Sequence, residues 1–172
     1  RLQGISDSIR DIQHLEDPIG EVMNTWTRPN GLKINKVRVP LGVVGMIYEA
    51  RPNVTADAAA LCLKTGNAVV LRGSSSAYNS NLAIASSLKA AVKEAGLNDD
   101  VIQLLEDTSR EGVKTFVQMK EYLTLIIPRG GASLIQNVVN TATVPTIETG
   151  VGNCHTYVHQ DADFEKAISV TI

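Results

Sequence analysis

Arg72-Gly73-Ser74-Ser75-Ser76 gathers a fixed cation, a residue without a side chain and three hydroxyls into five positions. Glycine lets a ligand approach the backbone, hydroxyls donate hydrogen bonds, and arginine can hold a phosphate in two parallel bonds. An ordinary polar loop is the rival reading of the same five residues. Pro128-Arg129-Gly130-Gly131 is a second such turn. Paired glycines that open a helix suit a pyrophosphate lying against the backbone, where the helix N-terminus favours negative charge. A third set is Glu49-Ala50-Arg51-Pro52-Asn53. The Asn53 amide could donate to the oxygen of a tetrahedral intermediate, or Asn53 could cap the helix that follows. Arg51 could take the phosphate or carboxylate of an anionic substrate, or simply sit on the surface beside its proline. Glu148, Cys154 and His155 form the fourth set. Neighbours in a strand point opposite ways, so the adjacency of Cys154 and His155 makes no nucleophile–base pair, and a structural thiol is the better reading. His14, His155 and His159 have no metal-ligand spacing, and no metal is inferred.

The first three sets must sit on strand-to-helix turns. Residues 42–48 (GVVGMIY) form a short apolar run, as does a strand buried on both faces. Val54 to Lys64 is a helix with small residues for close packing, stopped by Thr65-Gly66-Asn67, and Ala68 to Leu71 is a second buried strand. Strand, helix and strand with short links make a βαβ unit, whose ligands bind beyond the carboxyl ends of the strands. The alternation continues. A helix is expected over 77–95, a strand over 101–105, and a helix carrying Val113, Phe116 and Val117 behind a Thr108/Glu111 capping box. A strand over 123–127 closed by Pro128, a helix over 132–140, a strand over 155–158 and a helix over 163–170 complete the series. The fold class is α/β, with a mainly parallel, Rossmann-like sheet flanked by helices. Ahead of it, residues 2–15 have helical spacing, and Arg28-Pro29-Asn30-Gly31 is a turn signal for a β-hairpin within 20–39. Lys33, Lys36 and Arg38 are the charges of an edge strand.

The 172 residues carry 16 basic and 18 acidic side chains, well mixed, for a net charge of −2. That balance leaves no electrostatic footprint for nucleic acid or an anionic membrane. No apolar run approaches a membrane span, and two cysteines are too few for a disulfide framework. A soluble, cytoplasmic protein is expected.

The wording YEARPNVT at 48–55, CLKTGNAVVLRG at 62–73, LIIPRGG at 125–131 and ETGVGNCH at 148–155 resembles the gamma-glutamyl phosphate reductases, a branch of the aldehyde dehydrogenase superfamily. The resemblance implies an NADP-binding domain over 1–146, including the hairpin at 20–39, and the start of a truncated catalytic domain over 147–172. It places the catalytic cysteine beyond residue 172, so the chain alone is expected to be inactive. The implied reaction is NADPH-dependent reduction of L-glutamyl 5-phosphate, a small-molecule acyl phosphate, to L-glutamate 5-semialdehyde in proline biosynthesis. The reductase part of a bifunctional pyrroline-5-carboxylate synthase would share every motif, and a non-catalytic nucleotide-binding or assembly module is the alternative of another class.

Individual residues inherit roles from the same resemblance. Arg72, Gly73, Ser74 and Ser75, with Arg129, Gly130 and Gly131, fall on cofactor-contacting turns. Where the superfamily often has an acid for the adenosine ribose, this chain has Ser75, and a serine welcomes the 2′-phosphate that an acid would repel. NADP(H) is therefore expected over NAD(H). Asn53 takes the oxyanion role and Arg51 the substrate. Glu148 stands where many members keep a base for hydrolytic water, which acyl-phosphate reduction does not need. The hairpin matches one that makes subunit contacts, so the full-length protein is expected to be a homo-oligomer.

Overall fold

The structure, a computed structural model, describes residues 2–149 and 155–171. Its centre is a four-stranded sheet in the order β5-β4-β3-β6, all pairs parallel. The strands are β3 (Val43–Tyr48), β4 (Ala68–Arg72), β5 (Ile102–Leu104) and β6 (Leu125–Arg129). Counted from β3 this is the order 3-2-1-4 with which doubly wound sheets begin, with the reversal between β3 and β6. The chain leaves β3, moves outward through β4 and β5, then returns to the far side of β3 as β6.

Alternation along β3 divides the core. Ile47 faces Val113, Phe116, Val117 and Val138, which come from and around α4 (Arg110–Phe116) and α5 (Ala132–Thr141). Tyr48, the next residue, faces Ala59 and Val92 of α2 (Asn53–Lys64) and α3 (Tyr78–Glu94), together with Val69, Leu71 and Ile102 of the sheet. Two helices on each face therefore make a three-layer sandwich, and the continuous apolar strands follow from burial on both sides. α1 (Leu2–His14) lies outside this sandwich, tied to α2 by the Ser8 hydroxyl donating to Asp57 at 2.7 Å and Lys64 Nζ donating to the Gln13 carbonyl at 3.0 Å.

Several boundaries differ from the expectation for physical reasons. β6 runs through Pro128 to Arg129 instead of closing before it, pairing Ile47 with Pro128. An outer strand tolerates proline, whose missing N–H faces away from the ladder. α4 is capped by Ser109, whose Oγ accepts from Gly112 N at 3.0 Å. The expected Thr108/Glu111 box does not form, because the helix begins one residue later and Thr108 lies outside the cap position. Residues 155–159 are exposed and irregular, not a strand, for no neighbouring strand among the described residues pairs with them. The hairpin of β1 (Val22–Thr27) and β2 (Lys33–Val37) is a separate two-stranded sheet that joins neither edge of the main one. α6 (Phe164–Thr171) has no buried residue.

Candidate functional site

The C-terminal ends of β3, β4 and β6 open into two adjoining clefts that share Tyr48 and Glu49. The larger, about 470 Å³, gathers Arg72, Ser74 and Ser75 from the β4 turn, with Thr108 and Arg110 from the start of α4 and Leu134 and Asn137 from α5. The smaller, about 270 Å³, gathers Arg51 with Arg129, Gly130 and Gly131. The structure thus brings the first two sequence sets to one sheet edge, as short strand-to-helix links require. Gly73 is buried beneath the larger cleft, where any Cβ would collide with the Asn81 amide and approach Tyr48 at 3.2 Å.

Arg72 is only 9% exposed, and burial pulls its guanidinium below its usual range while Asp107 nearby works the other way. One Nη donates to the carbonyls of Thr108 and Ser109, the latter at 3.1 Å. Its Nε is buried without a partner. Arg72 therefore ties the end of β4 to the cap of α4, with its Nε enclosed by protein. Asp107 is held below the usual carboxylate range by hydrogen bonds from Ser109, side chain before backbone amide, with the Arg72 charge adding. Arg110, one turn inside the same cleft, is exposed and makes no ion pair among the described residues.

At the mouth of the smaller cleft the Glu49 carboxylate accepts a hydrogen bond from the Gly131 amide at 3.1 Å. Gly131 is the N-cap of α5 and offers no side chain, so the helix receives its anion from another strand. A Cβ on Gly130 would lie 2.7 Å from Leu134 Cδ2 and 2.8 Å from the Glu49 carboxyl carbon, so the Leu134 and Glu49 side chains close over this turn.

Asn53 is not a cap. Pro52 holds that position without a side-chain bond, Asn53 is the first helical residue, and its Nδ2 donates to Asp57 Oδ2 at 3.2 Å. It lies in a third, larger cleft of about 770 Å³ between α1, α2 and α3, which reaches Arg51 from the other side. Glu148 is exposed and lines none of these clefts, His155 is exposed on irregular chain, and Cys154 lies outside the described residues. No cluster of His, Cys, Asp or Glu fit to hold a metal occurs among the described residues. Beneath the site, Tyr48 Oη bonds Thr55 Oγ1 at 2.7 Å, and Thr55 Oγ1 donates to Asn81 Oδ1 at 3.1 Å. This buried chain fixes the first strand, its helix and the Gly73 turn together.

Reading the residues alone overlooked Tyr48, Arg110, Leu134 and Asn137. Helical spacing carried a signal for one of them: Leu134 follows Gly131 by three, the interval that stacks residues on one face.

The sequence profile of the aldehyde dehydrogenase family matches residues 5–172. The chain belongs to that family. Over all 172 residues it is 59% identical to the gamma-glutamyl phosphate reductase of Anoxybacillus flavithermus (strain DSM 21510 / WK1) and 59% identical to that of Clostridium perfringens (strain 13 / Type A). It covers 42% and 41% of those two relatives, so the chain spans about two fifths of their length. The solved gamma-glutamyl phosphate reductase of Thermotoga maritima superposes with a TM-score of 0.86 at 46% identity, over 99% of this chain and 41% of that one. An aldehyde dehydrogenase fold implies a nicotinamide cofactor. The Ser74 and Ser75 hydroxyls and the Gly130–Gly131 turn stand beyond the carboxyl ends of the strands, where open parallel sheets take their ligands.

Proposed function

We propose that this chain is the NADPH-binding part of a gamma-glutamyl phosphate reductase. In this reading residues 1–146 form the cofactor domain and 147–172 open a catalytic domain completed by the remainder of the enzyme. The full-length protein reduces L-glutamyl 5-phosphate to L-glutamate 5-semialdehyde and phosphate, a step of proline biosynthesis. The observation that carries the cofactor choice is the larger cleft: Arg72, Arg110 and three serines, Ser74, Ser75 and Ser133, line it, with Glu49 its only carboxylate among the described residues.

Bound NADPH supplies hydride to the acyl carbon. Ser74, Ser75 and Arg110 hold the 2′-phosphate, and Arg72 lends its charge while keeping the α4 cap fixed to β4. The Gly130–Gly131 turn would lie against the pyrophosphate, which would compete with Glu49 for the Gly131 amide, and Asn53 would turn its second Nδ2 hydrogen to the oxygen that gains negative charge as the acyl carbon becomes tetrahedral. The attacking thiolate comes from the part of the enzyme that follows residue 172 in the relatives. Its displacement of phosphate closes one step and readies the acyl group for reduction.

Calorimetry on the full-length enzyme tests the cofactor assignment. NADPH should bind at least tenfold more tightly than NADH, and Ser75→Glu or Arg110→Gln should each remove about tenfold of that preference by adding repulsion or deleting attraction at the 2′-phosphate. Equal affinity for the two cofactors in the unaltered enzyme overturns the assignment.

A further inference from the structure

The third cleft is walled by Ile5 of α1, Ile84 of α3 and Pro52, and it holds two opposite charges, Asp57 and Arg51. Asp57 is half-buried, and both its oxygens are already oriented: Oδ1 accepts from Ser8 Oγ at 2.7 Å and Oδ2 from Asn53 Nδ2 at 3.2 Å. A carboxylate has about four acceptor sites, so each oxygen keeps capacity for another donor. No cation pairs with it among the described residues. A half-buried carboxylate with neutral donors and no cation is rare without a partner, and the space in front of it belongs to the cleft. Arg51 is likewise unpaired among the described residues and lines both this cleft and the one formed by Gly130 and Gly131.

An anion and a cation on one wall, with apolar residues between elements, match an α-amino acid carried on methylene groups. We propose that this cleft binds the amino-acid end of the substrate, Asp57 reading the α-ammonium and Arg51 the α-carboxylate. The methylenes then run past Pro52, and the far, reacting end of the molecule is delivered over the Arg51–Asn53 turn toward the glycine turn. Ser8 and Asn53 act as positioning residues that keep the Asp57 carboxylate facing the cleft. The inference rests on the reductase reading above and adds the groups that select a glutamyl compound over a simple acyl phosphate.

The test uses the full-length enzyme in the reverse direction, with phosphate and NADP⁺, and two aldehydes: L-glutamate 5-semialdehyde and 5-oxopentanoate, which lacks only the ammonium. The unaltered enzyme should favour the amino compound by about a hundredfold in kcat/KM, since a site built for a polar group rejects an analogue without it. Asp57→Asn, equal in size, should bring that ratio within about fivefold, whereas Arg51→Gln should raise KM for both aldehydes about tenfold and keep the ratio. A structural role for Asp57 would lower both activities together and leave the ratio alone, which overturns the inference while the reductase reading stands. An Arg51→Gln enzyme with both KM values unchanged overturns the carboxylate assignment. Turnover of neither aldehyde by the unaltered enzyme overturns the reductase reading and this inference with it.

Discussion

Glu49 and Gly131 are 82 residues apart in sequence and meet in a hydrogen bond of 3.1 Å, carboxylate to helix N-terminal amide. The contact joins the end of β3 to the start of α5 across the point where strand order reverses. It also sets a negative charge where a pyrophosphate would seek the same amide.

Replacing Glu49 by Gln keeps an acceptor for Gly131 and removes the charge. NADPH should then bind about two- to fivefold more tightly at low salt, in line with roughly 0.3–1 kcal/mol for a charge at an exposed helix end, and the gain should shrink as salt rises. Titration of full-length enzyme by cofactor fluorescence at two ionic strengths checks this. Weaker binding would mean that Glu49 supports the cofactor instead of competing with it.

Gly73→Ala should destabilise the fold by about 1–3 kcal/mol, as overpacking of a fitted interior does. The added Cβ would collide with the fully buried Asn81 amide, which is held in turn by Thr55 and Tyr48. A urea midpoint unchanged from the parent would show that the turn can yield.

Asn53→Ala separates chemistry from positioning. As an oxyanion donor Asn53 should contribute about a hundredfold or more in kcat. Were its whole effect the hydrogen bond to Asp57, KM for the semialdehyde would rise while kcat held. Steady-state kinetics on the full-length variant read the two outcomes directly.

Alkaline pH should weaken the fold through Tyr48 and Cys62. Burial raises both, Tyr48 against the opposing pull of its Thr55 bond and Cys62 up to about 11. Each group is neutral when folded and ionises earlier when unfolded. Their stabilisation is therefore complete below the unfolded values and is lost as pH rises through the folded ones, for Cys62 between about 8.5 and about 11. Urea midpoints should fall across that range, and at pH 8 Cys62 should react with iodoacetamide about a hundredfold more slowly than an exposed thiol.

Continuous apolar strands with short glycine-bounded links make the sheet class and the position of its loops legible in the sequence. Fine boundaries were less so. Pro128 reads locally as a stop, yet its place on an outer strand removes the penalty, and only sheet order reveals that. Thr108 and Glu111 spell a capping box, but Ser109 next door offers the same hydroxyl and takes the cap, while the long reach of Arg72 engages the Thr108 carbonyl. The same reach explains why Arg72, legible as a cation at a strand end, turned out to be largely enclosed by protein. Arg110 and Asn137 were illegible because their importance comes from α4 and α5 meeting on the β3 and β6 face of the sheet, a relation of packing that no local pattern encodes.

The order of strands has a kinetic side. β3 and β4 are joined through one helix, so their pairing closes a short loop and can form early, whereas β6 must return across some 80 residues to reach β3. Both clefts at the sheet edge have one wall on each side of that late seam. A partly folded chain could hold the β3–α2–β4 unit intact and yet have no binding site, so loss of ligand affinity should precede loss of helix signal as the molecule is progressively destabilised.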